Sequence, residues 1–155
     1  MSSPNVPLGP EIVLAEQFGL APQYVPETPN LAVMLDRADA GLLIGDAGYR
    51  EYDGSPHVMD LGAAWKELTG LPFVYALWIG TPARLTPGLV SALVRAHDWG
   101  IEHRDEIAAR EFGPLNETHE RVRHYLRDVM RYHVGPRETQ ALRLFGKKAR
   151  EHDLL

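Results

Sequence analysis

The chain has 155 residues, 45% of them apolar and 24% charged, with 16 basic and 21 acidic side chains and no cysteine. That length suits one domain, and the lack of cysteine excludes disulfides, thiolate metal sites and a cysteine nucleophile together. No apolar run approaches the roughly 18 residues of a membrane helix. The opening MSSPNVPLGP has neither the basic start nor the apolar core of a signal peptide, so a cytoplasmic protein is expected.

The net charge of −5 is unevenly spread: residues 1–80 hold 3 basic and 10 acidic side chains, residues 81–155 hold 13 and 11. An acidic first half argues against nucleic-acid binding, which needs a basic face to neutralise phosphates. In the second half the arginines alternate with acids, the pattern of solvated helical faces.

In chain order, the prolines at 4, 7 and 10 predict an irregular start over residues 1–10. Glu11 to Phe18 reads as a short helix stopped by Gly19. Thr28-Pro29 is a cap-plus-proline start, and Leu31, Met34, Leu35 and Ala38 then share a helical face. Ala40 to Ile44 is a continuous apolar run that suits a buried parallel strand, closing a β-α-β unit. His57 to Leu61 reads as a further short strand, and Ala63 to Leu68 as a helix around Trp65 closed by Thr69-Gly70. Phe73 to Ile79 is aromatic and β-branched, the most strand-like stretch of the chain.

The remainder reads as helical. Thr86-Pro87 repeats the cap-plus-proline start, with a stripe of Leu89, Leu93, Ala96, Gly100 and Ile107. A second helix from about Asn116 buries Val122, Tyr125, Leu126 and Val129; Gly135-Pro136 starts a third, with Ala141, Leu142, Phe145 and Ala149 inward. Three segments result: 1–10 irregular, 11–72 α/β, and 73–155 a strand followed by helices.

Seven histidines raise the question of a metal. His97 and His103 are six apart and His119 and His124 five apart, whereas a helical zinc pair needs three or four. No metal is expected. Gly45-Asp46-Ala47 directly follows an apolar run, the place where ligands meet open α/β sheets and small residues let backbone approach them. Asp46 capping the next turn explains the same pattern equally well. Thr69-Gly70-Leu71-Pro72 by default is a helix stop and a rigid turn. Trp65, Phe73, Tyr75 and Trp78 sit in or beside the most apolar stretch and are expected in the core.

Two blocks carry a family resemblance. Leu42-Leu43-Ile44-Gly45-Asp46-Ala47, and the long run from Asp60-Leu61-Gly62-Ala63-Ala64-Trp65 through Thr69-Gly70-Leu71-Pro72 to Trp78, resemble the chorismate dehydratases of the futalosine route to menaquinone. The related dihydroxynaphthoate synthases share the stem up to Pro72, but the Phe73–Trp78 continuation looks like the dehydratases. The resemblance extends over roughly Glu11 to Phe145.

It implies a periplasmic-binding-protein-like type II α/β fold, two lobes around a substrate cleft, of which this chain would hold part of one lobe and C-terminal helices of the other. The implied reaction removes water from chorismate to give 3-[(1-carboxyvinyl)oxy]benzoate, with no metal or organic cofactor. Gly45, Asp46, Ala47, Thr69, Gly70, Leu71 and Pro72 would then line the cleft. A dianionic substrate calls for N–H and hydroxyl donors there, so Asp46 would position its loop. The catalytic residues are unassigned, because the family's N-terminal lobe has no counterpart in this sequence. A missing N-terminal half, or self-association in its place, is the expected partner. A non-catalytic module binding small carboxylates, and a helical interaction protein resting on residues 81–155, are the competing functions.

Overall fold

A computed structural model describes residues 8–45, 47–48, 57–112 and 117–155. Its bounded helices are α1 (Leu8–Phe18), α2 (Leu31–Leu35), α3 (Leu61–Thr69), α4 (Pro87–Glu102), α5 (Arg104–Phe112), α6 (Glu117–His124) and α7 (Pro136–Glu151). A π-helical turn, Tyr125–Val129, continues α6. The chain divides into two compact units, residues 1–74 with 136–155, and residues 75–135.

In the first unit, α1 begins inside the segment expected to be irregular. Pro10 falls in its first turn, where a missing N–H breaks no helical hydrogen bond. Gly9 is needed for close approach: a Cβ there would lie 2.9 Å from Cζ of Phe73. Ile12 and Val13 are fully buried, and with Ala64, Trp65 and Ala149 they form the core. Trp65, Phe73 and Phe145 make an aromatic triangle with centroids 5.6–6.1 Å apart, so the expected core placement holds for Trp65 and Phe73.

Caps fix the helix ends. Asn30, not Thr28, caps α2, its Oδ1 accepting from Val33 N–H at 3.2 Å. The Thr28 hydroxyl is instead turned to Glu27 Oε1, at 3.3 Å. Asp60 caps α3 by accepting from Ala63 N–H at 2.7 Å, which ends the strand reading of His57–Leu61. After α7, Asp153 takes a left-handed φ of 55°. Leu154 N–H then reaches Ala149 O at 2.8 Å and Asp153 N–H reaches Arg150 O at 3.2 Å. That closure folds Leu154 onto the core.

Glu16 on α1 joins the end of α7: its Oε1 accepts from Lys148 Nζ at 2.8 Å and lies 3.0 Å from His152 Nε2. The hydrogen bonds from Lys148 and His152 hold the Glu16 carboxyl below its ordinary value of 4.5. A carboxyl lowered on folding stabilises the fold fully above that ordinary value, and the contribution is lost as pH falls through the lowered one. Glu16→Gln should therefore be less stable than the wild type at pH 7, with the gap closing on acidification below 4.5. Urea unfolding at stepped pH checks this; a gap that widens in acid would contradict it.

Among the described residues there is no β-strand. Ala40–Ile44 and Phe73–Ile79 are irregular; Ile44 is 68% exposed, Tyr75 is exposed and Trp78 is 87% exposed. Strand propensity expresses the fit of a side chain to a pleated, half-buried surface, and no such surface is formed here. The β-α-β unit and the core placement of Tyr75 and Trp78 are thereby corrected.

The second unit is helical. Thr86 Oγ1 accepts from Leu89 N–H at 3.3 Å with Pro87 opening α4, as the cap-plus-proline signal predicts. The helix stops at Glu102 and does not run on to Ile107. His103 leaves helical geometry (φ −107°, ψ 22°), and its ring stacks on Trp99 at a centroid distance of 4.3 Å. Asp105 on α5 accepts from Arg123 Nε at 2.9 Å and Arg127 Nη1 at 3.3 Å, tying α5 to α6 and the π turn. Val122 is buried, but Tyr125 and Val129 are exposed. The apolar stripe is thus interrupted where α6 passes into the π turn.

Candidate ligand site

The turn after α3 is built from its own hydrogen bonds. Gly70 adopts φ +70°, a conformation that costs other residues about 1–2 kcal/mol, and its N–H bonds Lys66 O at 2.8 Å. The Thr69 hydroxyl donates to Trp65 O at 2.7 Å and accepts from Leu71 N–H at 3.1 Å. Pro72 has no N–H. The donors that the resemblance assigns to substrate at Thr69, Gly70 and Leu71 are thus committed within the chain.

The turn acquires a cation from elsewhere. Arg137, in the first turn of α7, donates from Nη2 to Gly70 O at 2.6 Å. Beyond Pro72 lies a cavity of about 110 Å³, lined by Trp65, Pro72, Phe73, Val74, Ala141 and Phe145 among others. Arg137, Ala141 and Phe145 are four residues apart along α7 and so share a face. Arg137 heads the stripe that walls the cavity. Trp65 is 1% exposed, and its Nε1 is buried with no hydrogen-bond partner among the described residues.

Gly45 is exposed with φ +65°, Ala47 is half-buried, and Asp46 lies outside the described residues. No hydrogen bond joins Gly45 or Ala47 to residues 69–72 among the described residues. Also among the described residues, no three His, Asp or Glu side chains converge on a point that could hold a metal ion. No helix there is long and apolar enough to cross a membrane. Arg137 escaped the sequence reading because it precedes an apolar stripe as one more helical arginine. Its position four residues before Ala141, directly after Gly135-Pro136, is the signal that could have singled it out.

Gly70 itself has a clear expected effect. A Cβ there would meet nothing within 4 Å, so substitution acts through backbone strain alone. Gly70→Val should destabilise the first unit by about 2 kcal/mol, whereas Gly70→Asn, which tolerates left-handed geometry, should cost less. Thermal unfolding of the two variants checks this; equal melting temperatures would contradict it.

The chain belongs to the menaquinone biosynthesis family, whose sequence model matches residues 10–151. Among its relatives is a chorismate dehydratase of Thermus thermophilus, 29% identical over 153 aligned residues, a match covering 87% of this chain and 56% of the relative. The chain therefore spans little more than half the length of that relative. No solved structure matches the chain significantly.

Proposed function

We propose that this chain is a chorismate dehydratase-type lyase, acting in the cytoplasm on the futalosine route to menaquinone. In the reaction a ring C–H bond and the C–O bond of the ring hydroxyl of chorismate break. Water leaves, and the ring becomes aromatic as 3-[(1-carboxyvinyl)oxy]benzoate. The observation that carries this reading is the family match over residues 10–151, joined to a relative named for that activity.

The proposed setting is a two-lobed, periplasmic-binding-protein-like α/β fold. Elimination needs groups fixed on both sides of the breaking bonds, and the chain spans only 56% of the relative. We therefore place the 69–72 turn on one side of the substrate, and supply the other side from the remaining length of the relative. A bacterial strain lacking its chorismate dehydratase provides the test. Growth without added menaquinone should return when the chain is co-expressed with the part of the Thermus relative outside the match. Failure of growth, with both polypeptides accumulating, would overturn the reading.

A further inference from the structure

We propose that the cavity beside Pro72 is a binding pocket for a small six-membered-ring carboxylate, its ring against the wall that Trp65, Phe73 and Phe145 form and its carboxylate on Arg137. This deepens the function proposed above and rests on its placing the 69–72 turn against the ligand. Three independent features of the first unit point to it.

The first is size and lining. The cavity holds about 110 Å³, and an apolar cavity of about 150 Å³ is known to take benzene; a single ring is therefore the right scale for a partly open site. Trp65 and Phe73 meet at 74°, Phe73 and Phe145 at 81°. Such edge-to-face walls offer a third ring the offset or edge contacts that aromatic pairs favour.

The second is a buried donor. The Trp65 indole N–H has no partner among the described residues, and an unsatisfied buried donor is destabilising. Trp65 also lines the cavity, so a ligand oxygen that reached its N–H from there would relieve that deficit. Apolar side chains filling the same space would not.

The third is charge. Arg137 is exposed at the head of the Arg137–Ala141–Phe145 stripe, with one N–H held by Gly70 O. That bond fixes the guanidinium beside the turn. A planar guanidinium presents paired donors suited to a carboxylate, and the positive end of the α7 dipole lies beside it. The committed donors of the 69–72 turn leave Arg137 as the group there that can meet an anion.

The test uses the full 155-residue chain, labelled with ¹⁵N and titrated with benzoate, benzyl alcohol and acetate. The Trp65 indole resonance is assigned by its loss in Trp65→Phe. Benzoate should move that resonance and leave those of Trp78 and Trp99 in place; acetate, which has no ring, should not move it. Arg137→Gln should weaken benzoate at least about fivefold while leaving benzyl alcohol within about twofold. Arg137→Lys, which keeps the charge without the fork, should fall between. An unmoved Trp65 resonance, or benzoate bound equally well by Arg137→Gln, would overturn the proposal. So would a Trp65 shift that follows protein concentration without any probe, the mark of a side chain from a second copy filling the cavity. Benzoate cannot undergo the elimination, so these results stand apart from success or failure of chorismate turnover.

Discussion

Replacing Trp65 with alanine is expected to unfold the first unit under conditions where the wild type is folded. Trp65 is 1% exposed and touches both other rings of the aromatic triangle. It also joins α3 to the α1 residues Ile12 and Val13 and to Ala149 of α7 in one core. Truncating a buried tryptophan to alanine costs about 3–5 kcal/mol, against a total stability that is commonly about 5–15 kcal/mol for a domain. Trp65→Phe should cost much less. It keeps a ring in the triangle, and the N–H it removes has no partner to lose among the described residues. Urea unfolding followed by circular dichroism separates the variants. Equal losses would place the centre of the core elsewhere.

The second large effect concerns association. Trp78 is 87% exposed and Ile79 89% exposed, within an uncharged stretch that runs from residue 68 to residue 83. A large apolar surface of this kind favours self-association. Purified chain should therefore sediment as a mixture that shifts to larger species with concentration. Trp78→Lys combined with Ile79→Lys should give a single species over the same range. A wild-type chain that is monomeric throughout would show that this stretch is not adhesive.

Local chemistry was legible wherever one residue sets the geometry. Thr86-Pro87 starts α4, Gly70 stops α3 and Gly135-Pro136 opens α7, because capping oxygens, proline's fixed φ and glycine's left-handed freedom act within a few residues. The inward positions Ala141 and Ala149 followed from helical period alone. What escaped depends on neighbours. Phe73–Ile79 has the composition of a strand, but pairing is settled by another segment. The break at His103 hangs on a ring stacking over Trp99, which no period records. Asn30 displaced Thr28 as a cap because the Thr28 hydroxyl turns to Glu27. The 69–72 turn, as a helix stop, and the family were readable in the block from Asp60 to Trp78. Arg137 was not, since the bond that matters spans 67 residues to Gly70.

The proposed dehydration of chorismate is tested most directly with purified chain incubated with chorismate, alone and with the part of the Thermus relative outside the match, the mixture then resolved by chromatography. The expected result is 3-[(1-carboxyvinyl)oxy]benzoate forming as chorismate disappears, slowly with the chain alone and at least about tenfold faster with the added part, since positioned groups on both sides of the breaking bonds govern the rate. Chorismate left unchanged in both mixtures would contradict it.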